Sequence, residues 1–229
     1  MALYAIGDLH LCLGAPKPMD VFGGAWVGYM DKLKEGLSGI KPEDTLVLLG
    51  DLSWALDLEG AKADFAWLNQ IPCRKIILKG NHDYWWNTVR KFELFCKENG
   101  FEDFHILHNN HFEYNGYAIC GTRGWFFEEE RSGQHDEKVF KRELLRLEAS
   151  LKAAGELPKL VFLHYPPRYK GYECPEILEL LKQYEVRCCY YGHLHGASHG
   201  LAIEGIWDGI QYKLLSADRL NFVPYQVLP

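Results

Sequence analysis

No stretch of the 229 residues approaches the ~20 consecutive apolar residues that a membrane-spanning helix needs. The run Leu3-Tyr-Ala-Ile6 is cut short by Gly7-Asp8, too brief and too early for a secretory signal. A cytoplasmic protein with no membrane partner is expected. Cys-x-x-Cys pairs are absent, and the seven cysteines are odd in number and mostly embedded in apolar runs, as at Cys120 and Cys188-Cys189. That usage speaks against a disulfide framework and for reduced, buried thiols. Low-complexity tracts, internal repeats and linker-like stretches are also missing, so residues 1–229 are expected to form one domain rather than a solenoid or a disordered chain. A basic excess is lacking too: the formal charge is −6 and the sequence pI 5.9, which argues against strong binding to nucleic-acid backbones.

What is present is an alternation of short apolar, β-branched runs with segments of helical period, the pattern of an α/β fold. The expected strands are Leu3–Ile6, Thr45–Leu49, Lys75–Leu78, Lys159–Leu163 and Arg187–Tyr191. The expected helices are Ala25–Leu37, Glu59–Asn69, Asn87–Asn99, His135–Ala154 and Pro175–Tyr184. In the second helix Ala63, Ala66 and Trp67 share a face, and in the third Val89, Phe92, Phe95 and Cys96 do. Asn115-Gly116 and Asp208-Gly209 each separate two strand-like runs and suit type I′ hairpin turns, so the sheets should be mixed. Periodicity leaves open a helix/sheet/sheet/helix sandwich or one open twisted sheet with helices on both sides.

Five of the strands end in metal-ligand residue types. Ile6 leads into Gly7-Asp8-Leu9-His10, Leu49 into Gly50-Asp51, Leu78 into Lys79-Gly80-Asn81-His82-Asp83, Leu163 into His164, and Tyr191 into Gly192-His193-Leu194-His195. Ligands in α/β sheets bind beyond the carboxyl ends of strands, so these termini can converge on one crevice. In the His-x-His pair, alternate residues of an extended chain point to the same side.

Nitrogen and oxygen donors without thiolate favour divalent ions of the Mn, Fe, Zn class. Seven donors exceed one tetrahedral zinc and suit two ions that share a bridging carboxylate, for which Asp51 is the natural choice, and a bridging hydroxide. Two dications against Asp8, Asp51 and one hydroxide leave a positive cluster, suited to anionic phosphate esters. His82 follows Asn81 and is placed to protonate the departing oxygen; its alternative is a structural imidazole tied to Asp83, itself a candidate supporting residue behind the ligands.

In this order the residues Asp8-x-His10, Gly50-Asp51, Gly80-Asn81-His82-Asp83, His164 and Gly192-His193-x-His195 resemble the calcineurin-like metallophosphoesterase superfamily, over nearly the whole chain. The resemblance implies an α/β fold, a four-layer α/β/β/α sandwich of two mixed sheets. It also implies one ion on Asp8, His10, Asp51 and His195 and a second on Asp51, Asn81, His164 and His193, with His82 assisting the leaving group. Many members carry an acidic residue three positions after Gly-Asp, or an Arg soon after in protein phosphatases. Here Gly50-Asp51-Leu-Ser-Trp54-Ala55 has neither.

The expected activity is hydrolysis of a phosphorylated small molecule, a phosphodiester or nucleotide-like ester before a phosphomonoester or phosphoprotein. A non-catalytic scaffold of the same fold is the rival from another class. A zinc hydrolase of amides or lactones would need a His-x-His-x-Asp-His signature that is absent. Trp85, Trp86, Trp125, Phe126, Tyr165 and Tyr169, with Arg123 and Arg168, are candidates to stack on a base and grip a phosphate; equally, the aromatics plug the loop layer. His105, His108, His111, His135 and His199 fall in no recognised slot.

Overall fold

The computed structural model describes residues 1–126 and 134–229. The strands are β1 Leu3–Ile6, β2 Thr45–Leu48, β3 Arg74–Ile77, β4 Phe104–Ile106, β5 Phe112–Tyr114, β6 Tyr117–Thr122, β7 Lys159–Leu163, β8 Arg168–Tyr169, β9 Tyr172–Glu173, β10 Cys188–Tyr191, β11 Gly205–Trp207, β12 Ile210–Leu214 and β13 Tyr225–Leu228. The α-helices are α1 Tyr29–Leu37, α2 Leu58–Leu68, α3 Val89–Asn99, α4 Gln134–Ala153 and α5 Pro175–Gln183. The side chain of His135, at the start of α4, is outside the described part. Two large mixed sheets with helices give the expected α/β class. No helix among the described residues is long and apolar enough to cross a membrane.

The chain forms two compact units, one of residues 1–106 with 215–229 and one of 107–214. The first holds a five-stranded sheet in the order β13-β1-β2-β3-β4, parallel except for β13. β1, β2 and β3 lie in register, Ile6 beside Leu48 and Leu48 beside Ile77, so their carboxyl ends finish at one level. β2 is buried along its whole length, which is why it reads as an unbroken apolar run rather than an alternation.

The second unit holds a six-stranded sheet in the order β11-β12-β10-β7-β6-β5 and a small β8-β9 hairpin. Its central strands β6, β7 and β10 are parallel, and Thr122, Leu163 and Tyr191 align at their carboxyl ends. Both outer pairs are the expected hairpins, turning at Asn115-Gly116 and Asp208-Gly209. Each unit has its own apolar core, the first around Leu48, Phe65, Trp85 and Phe92, the second around Val161, Leu163, Leu181 and Tyr191.

Two helical expectations need correction. Residues from Ala25 do not start a helix: two 3-10 turns, Met19–Phe22 and Gly24–Trp26, precede α1, which begins only after Gly28 at φ 66°. A left-handed residue cannot continue a right-handed helix. In α2 the buried residues are Ala61, Asp64, Phe65 and Leu68, whereas Ala63 and Ala66 face solvent. The covered face contains a carboxylate, which the pattern Ala63, Ala66, Trp67 steered away from. In α3 Phe92, Phe95 and Cys96 are buried and Val89 packs against them, as the periodicity anticipates.

Candidate metal centre

In the first unit Asp8, His10 and Asp51 are each at most 2% exposed. Asp8 offers a carboxylate oxygen within 4.8 Å of a ligand atom of His10 and of one of Asp51. His10 Nε2 stands 3.9 Å from the Asp51 carboxylate. All three are in the left-handed backbone region, at φ 60°, 48° and 51°. Non-glycine residues visit that region rarely, and such strain gathers at functional sites. It is held by a short ladder between the loops after β1 and β2: the N–H groups of Asp8, His10 and Leu11 donate to the carbonyls of Gly50, Asp51 and Leu52 at 2.8–2.9 Å.

The loop after β3 is fastened to the same place. The His82 N–H donates to Asp51 Oδ1 at 2.7 Å, which fixes the direction of that carboxylate. Gly50 and Gly80 face each other so closely that a Cβ on Gly80 would lie 2.0 Å from Asp51 Oδ1, and one on Gly50 2.4 Å from the Gly80 nitrogen. No side chain fits at either position. Asp83 is fully buried and accepts from the N–H groups of Asp51, Leu52 and Gly80 and from the Trp85 indole, all at 2.8 Å. Burial pushes its carboxyl up, and the donated hydrogen bonds pull it back. Asp83 thus ties the loop bearing Asn81 and His82 to the loop bearing Asp51.

The His10 ring stacks on Trp54 at 4.7 Å and meets the Trp26 edge at 5.9 Å. The half-buried His82 ring lies 5.8 Å from that of His10. Neither Trp54 nor Asp64 was marked by motif. Asp64 of α2 receives the Ser53 hydroxyl and, at 2.8 Å, the Leu13 N–H, so it braces the continuation of both ligand loops. The available signal was an acid on an otherwise apolar helical face.

In the second unit His164 is fully buried and its ring lies 5.3 Å from that of His193. Its N–H and that of Tyr165 donate to the Arg123 carbonyl, while its carbonyl accepts from Gly192 at 3.0 Å. These bonds knit together the ends of β6, β7 and β10. His193 sits at φ 71° beyond the end of β10, and Leu194 N–H folds back to Gly192 at 2.9 Å. The His-x-His pair is therefore aimed by a turn, not by the alternation of a strand. His195 precedes a 3-10 helix, Gly196–Leu201.

The remaining candidates fall differently. Trp85 is 2% exposed and covered by Phe65, Trp86 and Phe92, so it offers no face to a substrate; its apolar body belongs to the core and its N–H to Asp83. Arg168 is buried against Glu173 at 3.1 Å and Asp208 at 3.0 Å, tying the β8-β9 hairpin to the β11-β12 turn. Arg123 pairs with Glu143 of α4 at 3.3 Å. Phe126 stacks on Tyr172 at 5.0 Å and Tyr165 packs on His193 at 4.3 Å, so these rings plug the loop layer. All seven cysteines are free thiols, five of them buried.

The family model described as calcineurin-like phosphoesterase matches residues 1–197. Among solved structures, phosphopantetheinyl hydrolase from Mycobacterium tuberculosis aligns with a TM-score of 0.60 at 16% identity, over 100% of this chain and 96% of that one. A protein of unknown function from Aquifex aeolicus aligns with a TM-score of 0.54 at 19% identity, over 97% and 94% of the two chains. At such identities the likeness is one of fold. No curated protein matches.

Proposed function

Since this chain belongs to the calcineurin-like phosphoesterase family, we propose that it is a dinuclear metal-dependent hydrolase of phosphate esters acting on a phosphorylated small molecule, with residues 1–229 working as one domain. The observation that carries the reading is the buried convergence of Asp8, His10 and Asp51, three adjacent donors held in left-handed backbone at strand ends. Oxygen and imidazole donors without thiolate fit divalent ions of the Mn, Fe, Zn class. Asp8, His10, Asp51 and His195 would hold one ion and Asp51, Asn81, His164 and His193 the other. When bound, the pair supplies Lewis acidity and an activated water to attack phosphorus.

The protein's own groups divide the remaining work. Asp51 would be the carboxylate shared by the two ions, and the His82 N–H orients it. Asn81, being neutral, leaves the site cationic and receptive to an anionic ester. His82, half-buried beside His10, gives its proton to the departing oxygen. A phosphodiester or nucleotide-like ester is favoured over a phosphoprotein, since the loop Gly50-Asp51-Leu-Ser-Trp54-Ala55 lacks the Arg that protein phosphatases carry soon after Gly-Asp. A cytoplasmic setting agrees with seven unpaired thiols.

The test is a screen of metal-reconstituted protein against aryl phosphomonoesters, aryl phosphodiesters, pyrophosphates and a phosphopantetheinyl ester, with metal content measured in parallel. Two ions per chain and turnover on at least one ester class are expected. Two bound ions with no turnover on any class would favour a non-catalytic scaffold.

A further inference from the structure

Around the His82 imidazole the first unit sets the Trp54 and Tyr84 rings, with Lys17 against Trp54, and neither the metal ligation nor the proton transfer uses these three side chains. The Trp54 indole lies 4.7 Å from the His82 ring and 4.7 Å from the His10 ring, nearly parallel to the latter at 18°. The Lys17 ammonium sits 3.3 Å from the centre of the Trp54 ring. The Tyr84 ring meets His82 edge-on at 6.1 Å, and Tyr84 is 56% exposed. Its N–H donates to the His82 carbonyl at 2.8 Å, a tight turn that keeps Tyr84 beside the imidazole.

A general acid must touch the oxygen it protonates. Whatever surrounds His82 therefore surrounds the leaving group. We infer that Lys17, Trp54 and Tyr84 form the leaving-group subsite, and that it takes a planar aromatic ring joined to an anionic group, the chemistry of a nucleotide. This rests on the role given to His82 above. Tyr84 offers an open face on which a base can stack, whereas a ring that merely filled the loop layer would be covered. Trp54, 9% exposed, is the wall behind, and it holds Lys17 by a cation–π contact weak enough for an incoming anion to draw the exposed ammonium away.

The experiment measures competitive inhibition of bis(p-nitrophenyl) phosphate hydrolysis by adenosine 5′-monophosphate, adenosine and inorganic phosphate. Saturation-transfer NMR of the monophosphate provides a readout without turnover. The monophosphate should bind at least tenfold more tightly than phosphate, through its ring, and than adenosine, through its charge. Tyr84→Ala should remove most of the advantage over phosphate and Tyr84→Phe keep it; Lys17→Met should weaken the monophosphate several-fold while leaving adenosine and inorganic phosphate unchanged, and Lys17→Arg should restore it. Equal inhibition by monophosphate and phosphate, or variants that shift all three inhibitors alike, would overturn the subsite and leave the phosphoesterase reading intact. Protein that hydrolyses no ester, yet shows adenine saturation transfer that is lost in Tyr84→Ala, would sink the enzymatic reading and keep the subsite.

Discussion

Asp83 and Gly80 never touch a substrate in the reading above, yet they carry its geometry. Replacing Asp83 by Ala leaves three buried N–H groups and an indole N–H without their acceptor. At ~1–3 kcal/mol per orphaned group, the loss approaches the whole stability of a domain. The variant should be unfolded or grossly destabilised in circular dichroism melts, and a near-native Tm would refute the bracing role. Gly80→Ala inserts a methyl where Asp51 already stands, so ~1–3 kcal/mol of overpacking strain and weakened metal affinity are expected together. Calorimetric unfolding and metal titration of one preparation test both. His82→Ala should keep both ions and lose ~10²–10⁴ in rate on esters with alkyl leaving groups, because such oxygens cannot leave without a proton. Unchanged turnover on such an ester would remove His82 from the mechanism. At this scale the sequence was legible wherever a residue stood within three positions of a strand end, as with Asp8, Asp51 and His164. It was opaque for Trp54 and Asp64, whose roles depend on which loop packs against them, and for Trp85, whose place beside the site hid that its ring faces the core.

Strands and helices were readable in proportion to their burial. β1, β2 and β7 are covered along nearly all of their length and appear as apolar runs, so their bounds were found to within a residue. β4, β8, β9 and β13 are two to four residues long and lie partly open, too short for a period to register. The α2 face was misassigned because periodicity counts an acid as outward-facing, while Ser53 and the Leu13 N–H make Asp64 tolerable inside. The thiols supply a test of burial element by element. Burial raises the Cys73 and Cys120 thiols to about 11 and those of Cys96 and Cys174 to about 12, and pushes Cys189 up as well. Thiols shifted this way are almost wholly protonated at pH 8 and unreactive. Iodoacetamide applied to native protein at that pH should label the half-buried Cys12 and Cys188 and spare the other five, as read by peptide mass spectrometry. Fast labelling of Cys120 or Cys189 would mean that the β6 or β10 region opens readily.

For the molecule as a whole, metal and fold should be thermodynamically linked. Ions that bind only the folded chain add ~2.7 kcal/mol at a hundredfold excess over Kd, which for a protein of this size is a rise in Tm of about 5–10 °C. Manganese should produce that rise, a chelator should reverse it, and Asp51→Asn should abolish most of it; a melting curve indifferent to chelator would count against a resident metal centre. The α/β class with mixed sheets was legible from the alternation of runs and the two hairpin turns, whereas the choice of two sheets over one came only with the family resemblance. The division into two compact units was not, because the first unit is completed by residues 215–229, distant in sequence from everything they pair with.

That return path orders events in time. β13 pairs with β1, Leu3 beside Leu228, and the Gly7 N–H and carbonyl just before Asp8 bond to Leu215 and Ala217. During translation the amino-terminal strands leave the ribosome with the β1 edge bare and Gly7 unbonded, and they stay so until residues 215–229 follow. Folding from the amino terminus, the usual vectorial order, cannot finish the first ligand loop. Metal capture by this loop would thereby wait until residues 215–229 have emerged, and the exposed edge of β1 is the stage at which a nascent chain is open to strand-pairing with a neighbour.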